Sequence, residues 1–155
     1  MKYNPEKHHR CSIRLKGYDY SQPGLYFITL CVQNRHCLFG EIENGEMICN
    51  EYGKIATTEW INTESIRDNI RLHEYIIMPN HIHGIIEIID RKGDCRGESQ
   101  FAPTAPTAPT IKSLNYKIWQ RNYYEHIIRN EKSYQRISEY IITNPQKWEI
   151  DKFNK

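Results

Sequence analysis

The stretch MPNHIHGIIEI, residues 78–88, decides how this chain is read. With EYIIMPN (74–80) in front of it, it is an Ile-rich apolar run broken once by Pro79-Asn80. That pattern is the signature of two strands meeting at a tight turn. Side chains alternate faces along a strand, so His81 and His83 point the same way, about 6.6–6.8 Å apart along the rise. Ile82 points to the opposite face. Two imidazoles on one strand face can share a metal ion if a third ligand reaches them. Equally, they are two half-exposed histidines beside a turn. The pair alone leaves both readings open.

Working outward, the stretch GLYFITLCVQNRHCLFGEI (24–42) follows Pro23-Gly24 and reads as a long strand turning near Asn34-Arg35, with GEMICN (45–50) as a hairpin partner. EYGKIATTEWINTESI (51–66) follows Asn50, a good N-cap, and sets Tyr52, Ile55, Ala56 and Trp60 at the spacing of one helical face. Strands over 71–78 and 82–89 then flank Pro79-Asn80. After Asp90 the composition changes. RKGDCRGESQFAPTAPTAPT has almost no core residues and repeats APT, which marks a low-complexity linker over about 91–112. The last block is dense again: YKIWQ (116–120) reads as a short strand, and EKSYQRISEYIITN (131–144) as a helix stopped by Pro145.

The chain has 155 residues, enough for one domain over 1–155 with its own core. Its 21 basic and 19 acidic residues nearly balance, so no global field announces nucleic acid. Locally, MKYNPEKHHRCSIRLK (1–16) carries Lys2, Lys7, Arg10, Arg14 and Lys16 against Glu6 alone. Such an arm either tracks phosphates or serves as a solubilising tail. The five cysteines form no CxxC pair, and no leader peptide precedes them, so free thiols in a reducing cytoplasm are expected. No apolar run approaches the roughly 18 residues of a membrane span.

Tyr140 and Asn144 lie four residues apart in the last predicted helix, hence beside one another on one face. A protonated phenol is a poor nucleophile, with a reference pKa near 10. A divalent cation that polarises a phosphate under attack offsets this, and an Asn oxygen one turn on could join His81 and His83 around it. The bland alternative makes Tyr134, Ile137, Tyr140 and Ile141 a core stripe.

MPNHIHGI in mid-chain followed by WQRNYYEHIIRNEKSYQRISEYIITNP (119–145) resembles the REP-associated tyrosine transposases, single-tyrosine HUH enzymes related to insertion-sequence transposases. The resemblance runs from roughly Arg10 to Trp148. It implies that His81 and His83 are the HUH pair, Tyr140 the nucleophile, and Asn144 the third ligand of a Mg²⁺ or Mn²⁺ ion. It implies a ferredoxin-like αβ sandwich with an antiparallel sheet, the HUH strand central and the tyrosine helix beside it. The implied reaction is cleavage and rejoining of single-stranded DNA through a 5′-phosphotyrosine link that leaves a free 3′-OH. The implied partners are palindromic DNA hairpins, handled in the cytoplasm by a monomer or homodimer, with no membrane involved. Arg10, Arg14, Lys16 and Arg35 are the candidate phosphate contacts.

One departure stands out. Relatives carry an amphipathic helix between the strand after the HUH motif and the WQRNYYEH block; here the APT repeat and TIKSLN hold that place. The second crossover helix is therefore expected to be missing or shortened, leaving sheet surface for another element to cover. Two alternatives follow: an internally deleted, inactive copy that still binds DNA hairpins, or a metal protein unrelated to nucleic acid. Zinc is disfavoured in the latter, since no Cys or acidic residue sits at a zinc-like spacing beside the HxH. WQRNYYEHIIR (119–129), with Trp119, Tyr123 and Tyr124, is expected chiefly to anchor the last strand and helix in the core rather than to stack on bases. Glu125 beside His126 could orient that imidazole without implying a second catalytic base.

Overall fold

The computed structural model describes residues 17–90 and 117–154. Strand β1 (Gly24–Cys31) is followed by a short 3-10 turn at Gln33–Arg35, then by the hairpin β2 (Gly40–Glu43) and β3 (Glu46–Cys49). Helix α1 (Glu51–Ile66) leads to β4 (Ile70–Met78) and β5 (His81–Ile88). Strand β6 (Tyr124–Ile128) and helix α2 (Glu131–Thr143) follow, and a 3-10 turn over Pro145–Ile150 starts the final segment. The main sheet has the order β4-β5-β1-β6, and every neighbouring pair is antiparallel. With α1 crossing from β1 toward β4, this is the ferredoxin-like α+β arrangement expected from the resemblance.

Local sequence explains where the elements start. Asn50 accepts a hydrogen bond from the Gly53 amide at 3.0 Å and caps α1, and Asn130 does the same for α2 from Ser133 at 2.8 Å. Asn34 and Arg35 adopt φ of 56° and 57°, and this left-handed pair turns the chain out of β1. GEMICN does pair in a hairpin, but with Gly40–Glu43 in a small separate sheet rather than with β1.

The sheet sorts its side chains by the strand alternation. Ile28, Leu30, Ile82 and Ile86 face α1, where Trp60 is buried against them. Gly84 is required there: a Cβ at this position would stand 2.2 Å from Cζ2 of Trp60. On the opposite face Phe27, Ile85 and Ile128 pack with Ile141 of α2. Ile85 and Ile141 are fully buried, and each such side chain is worth roughly 1.5–3 kcal/mol. His81 and His83 belong to this second face, under α2.

On α1, Tyr52, Ile55, Ala56 and Trp60 do share one face and line one groove with Ile28, Leu30, Ile82 and Ile86 of the sheet; Trp60 is buried, while Tyr52 and Ile55 stay 40% and 38% exposed. The later aromatic stretch differs from expectation. The described part of YKIWQ, residues 117–120, forms no strand; Trp119 makes an isolated bridge with Val32 and remains 37% exposed. In the WQRNYYEHIIR stretch the core anchor is Ile128, while Tyr124 is 52% exposed. The linker at about 91–112, and with it the expected loss of the second crossover helix, lies outside the described residues. Cys31, Cys37 and Cys49 are free thiols, as expected. No described helix is long and apolar enough to cross a membrane.

Candidate metal and tyrosine site

The site is built on the first residues of β5. Met78 pairs with His81 directly across the Pro79-Asn80 turn. That turn is buried and pinned: Val32 donates to the Asn80 carbonyl at 2.8 Å and Phe39 to the Pro79 carbonyl at 3.0 Å. The Asn80 amide nitrogen donates to the backbone carbonyls of Arg35, at 3.1 Å, and Phe153, at 2.8 Å. With its nitrogen committed, Asn80 can only present Oδ1 to its neighbour, and Nδ1 of His81 lies 2.8 Å from it. His81 therefore carries its proton on Nδ1 and keeps a bare lone pair on Nε2.

His83 is set by register. Its partner across β1 is Thr29, whose hydroxyl sits 2.8 Å from Nδ1. Its Nε2 faces the Tyr140 hydroxyl at 3.2 Å. The two imidazole rings are 4.4 Å apart between centroids. Burial pushes the pKa of His81 down to about 4 and that of His83 well below the usual histidine value, so both rings are neutral at pH 7.

Helix α2 brings Tyr140 and Asn144 to the same place. Asn144 is buried one helical turn beyond Tyr140. Desolvation raises the phenol pKa, the nearby Asp151 carboxylate raises it further, and the Asn144 side chain works against both. The phenol is thus held protonated in this arrangement. Tyr140 also belongs to the core stripe: with Tyr134 and Ile137 it packs against the Ile141 cluster. The core-stripe reading is thus matched by the packing, and the phenolic oxygen reaches Nε2 of His83 as well.

Asp151 is the residue that sequence reasoning missed. It follows the 3-10 turn at Pro145–Ile150, and its carboxylate and one ring nitrogen from each of His81 and His83 all lie within 4.8 Å of one another. No local periodicity points to it, because the chain must reverse before the side chain arrives. Phe153 then lies over the histidines, with ring centroids 4.6 Å from His81 and 5.8 Å from His83.

The donor set fits a divalent cation on its own evidence. Nε2 of His81 and Oδ1 of Asn144 are buried with no hydrogen-bond partner among the described residues. Such orphaned atoms cost about 1–3 kcal/mol each unless something satisfies them. Two neutral imidazoles, a carboxylate and an amide oxygen form a mixed N/O set suited to such an ion.

The candidate phosphate contacts fare differently. Arg35 donates from its guanidinium to the Lys152 carbonyl at 2.9 Å and lies 5.5 Å from the Phe153 ring centre, so it fastens the final segment beside the site. Arg10, Arg14 and Lys16 lie outside the described residues.

Over 172 aligned positions, the chain is 45% identical to an uncharacterized protein of Haemophilus influenzae, covering 97% of this chain and 96% of that one. This chain belongs to that protein's family. No protein-family model matches it. Among solved structures it is similar to a REP-associated tyrosine transposase bound to a REP hairpin, with a TM-score of 0.56 and 21% identity over 86% of this chain and 74% of that one. At that identity the likeness is one of fold.

Proposed function

We propose that this chain cuts and rejoins single-stranded DNA at hairpins with Tyr140 as the nucleophile. The observation carrying this reading is the position of the Tyr140 hydroxyl, 3.2 Å from His83 Nε2, within the cluster that His83 forms with His81 and Asp151. A tyrosine, two adjacent histidines and buried orphan donors in one place are more than core packing requires.

The phenolic oxygen attacks a backbone phosphorus, a phosphotyrosine bond forms to the 5′ side, and the 3′ oxygen departs. The phenol gives up its proton as the new bond forms, and the leaving oxygen takes one up. Because one phosphodiester replaces another, the 3′-OH of the same or a second strand can reverse the step without external energy. Mg²⁺ or Mn²⁺ held by His81, His83 and Asn144, with Asp151 alongside, would polarise the phosphate under attack. Asn80 and Thr29 orient the two imidazoles from behind.

The test is incubation of the protein with a hairpin oligonucleotide and Mn²⁺, followed by a denaturing gel. The expected result is a covalent protein–DNA adduct that Tyr140→Phe abolishes. Hairpin binding by the unaltered protein with no adduct would overturn the nicking reading and leave a protein that binds hairpins without cutting.

A further inference from the structure

The edge strand β6 and the start of α2 enclose a concavity of about 430 Å³ away from the histidines. It is lined by His126 of β6, by Arg129 and Asn130 of the connecting turn, and by Lys132 and Arg136 of α2, with no carboxylate in the lining. Arg129, Lys132 and Arg136 are exposed, and the described ion pairs, Arg71–Glu64 and His73–Glu87, leave all three out. The acid nearest in sequence, Glu131, is engaged by Gln135 at 3.0 Å.

Three features tie this concavity to Tyr140. Lys132, Arg136 and Tyr140 stand four residues apart, so each lies beside the next, about 6 Å further along the helix. Tyr124, on the same face of β6 as His126, is 52% exposed. Its ring touches Phe27 at 6.3 Å between centroids, and Phe27 in turn meets Tyr140 at 6.2 Å. The exposed Tyr124 ring on β6 and cations of α2 that no described ion pair engages thus extend from the concavity toward Tyr140. Cations spaced along a groove hold successive phosphates, and an exposed ring stacks on a base of any identity.

We infer that the β6–α2 groove is the track for single-stranded DNA leading to Tyr140, with Arg136, Lys132 and Arg129 on successive phosphates and Tyr124 stacked on a base. This rests on the nicking reading for the direction of the strand, but the track itself is testable without cleavage.

The experiment titrates the full chain with a labelled oligothymidine, followed by fluorescence anisotropy across a range of salt. The combined variant Arg129→Ala, Lys132→Ala, Arg136→Ala changes exposed side chains only, and its melting temperature is measured alongside. The expected result is a loss of affinity of tenfold or more at low salt. The log–log salt slope should fall by about 2, at roughly 0.7 per cation lost. Tyr124→Ala should weaken binding about 5- to 100-fold with its slope unchanged, the signature of stacking. Unchanged affinity and slope in the triple variant would overturn the track. So would equal losses on heparin with no effect of Tyr124→Ala, since the surface would then be a general polyanion site. Tighter binding of oligouridine than of oligothymidine would overturn the assignment to DNA. Adduct formation separates the two readings: a protein that binds through the groove but never forms an adduct retires the nicking reading alone. One that forms adducts while the triple variant binds normally retires the track alone.

Discussion

Oδ1 of Asn80 lies 2.8 Å from Nδ1 of His81, although the two residues are adjacent in sequence and Asn80 belongs to a turn. The contact exists because the Asn80 nitrogen is already spent on the carbonyls of Arg35 and Phe153. The motif PNHIH therefore contains its own orienting group: the turn residue fixes the tautomer of the first histidine. Asn80→Ala should lower Mn²⁺ affinity about 10- to 100-fold, the usual effect of losing a group that orients a ligand. Isothermal titration of the variant against the unaltered protein checks this. An unchanged affinity would place the ion elsewhere.

Acid should unfold this protein through its histidines. Burial holds His81 at about 4, against an ordinary value of 6.5, and depresses His83 in the same direction. The unfolded chain therefore takes up protons near pH 6.5 that the folded state refuses until about pH 4. Their contribution is fully present above 6.5 and is lost as the pH falls toward 4. For His81 alone the loss approaches roughly 3 kcal/mol. Melting curves of the protein and of His81→Gln, recorded from pH 7 to 4.5, should converge as the pH drops. Parallel curves would mean that His81 titrates normally.

What the sequence made legible was whatever depends on neighbours in the chain. Asn50 caps α1, Pro79-Asn80 turns β4 into β5, and the four-residue step places Asn144 under Tyr140; each is a local rule. Thr29 and Asp151 were out of reach for the opposite reason. Thr29 meets His83 across 54 residues only because of the β1–β5 register, and Asp151 arrives after a chain reversal. Trp119 misled through composition: a dense aromatic stretch reads as core, but this ring sits at the rim of a groove and touches Phe39 at 5.5 Å.

Helix α2 is fastened to β4 by Glu74, which lies where the β4–β5 register shifts between Leu72 and Tyr75. Its carboxylate accepts from the Tyr134 hydroxyl at 2.8 Å and from Ser138 at 3.1 Å. Burial alone would raise its pKa, but these hydrogen bonds and the neighbouring His73 hold it below the ordinary value. Glu74→Ala removes the acceptor shared by two hydroxyls beneath the helix that bears Tyr140, leaving Tyr134 with His73 alone. The expected cost is about 1–3 kcal/mol of stability. The adduct-forming rate should fall by more than the DNA affinity does. Glu74→Gln keeps an acceptor and should restore most of both. Equal losses in rate and affinity would mean that Glu74 does not position the nucleophile.

Tyr140→Phe should do two opposite things. It removes the oxygen that would attack phosphorus, so the covalent adduct should vanish while hairpin binding and melting temperature stay near those of the unaltered protein. It also removes the hydrogen bond between the phenol and His83 Nε2. That nitrogen has one lone pair, which serves either the phenol or a cation but not both. Breaking the competing bond, worth about 0.5–1.5 kcal/mol, should tighten Mn²⁺ binding by up to roughly tenfold. A core tyrosine with no part in the site would instead leave both adduct and metal affinity as they were. Tyr134→Phe supplies the control: its hydroxyl points to Glu74 and His73, so it should lose some stability with no change in metal affinity. Tighter Mn²⁺ binding in Tyr140→Phe, absent in Tyr134→Phe, would tie the phenol and the ion to one nitrogen of His83.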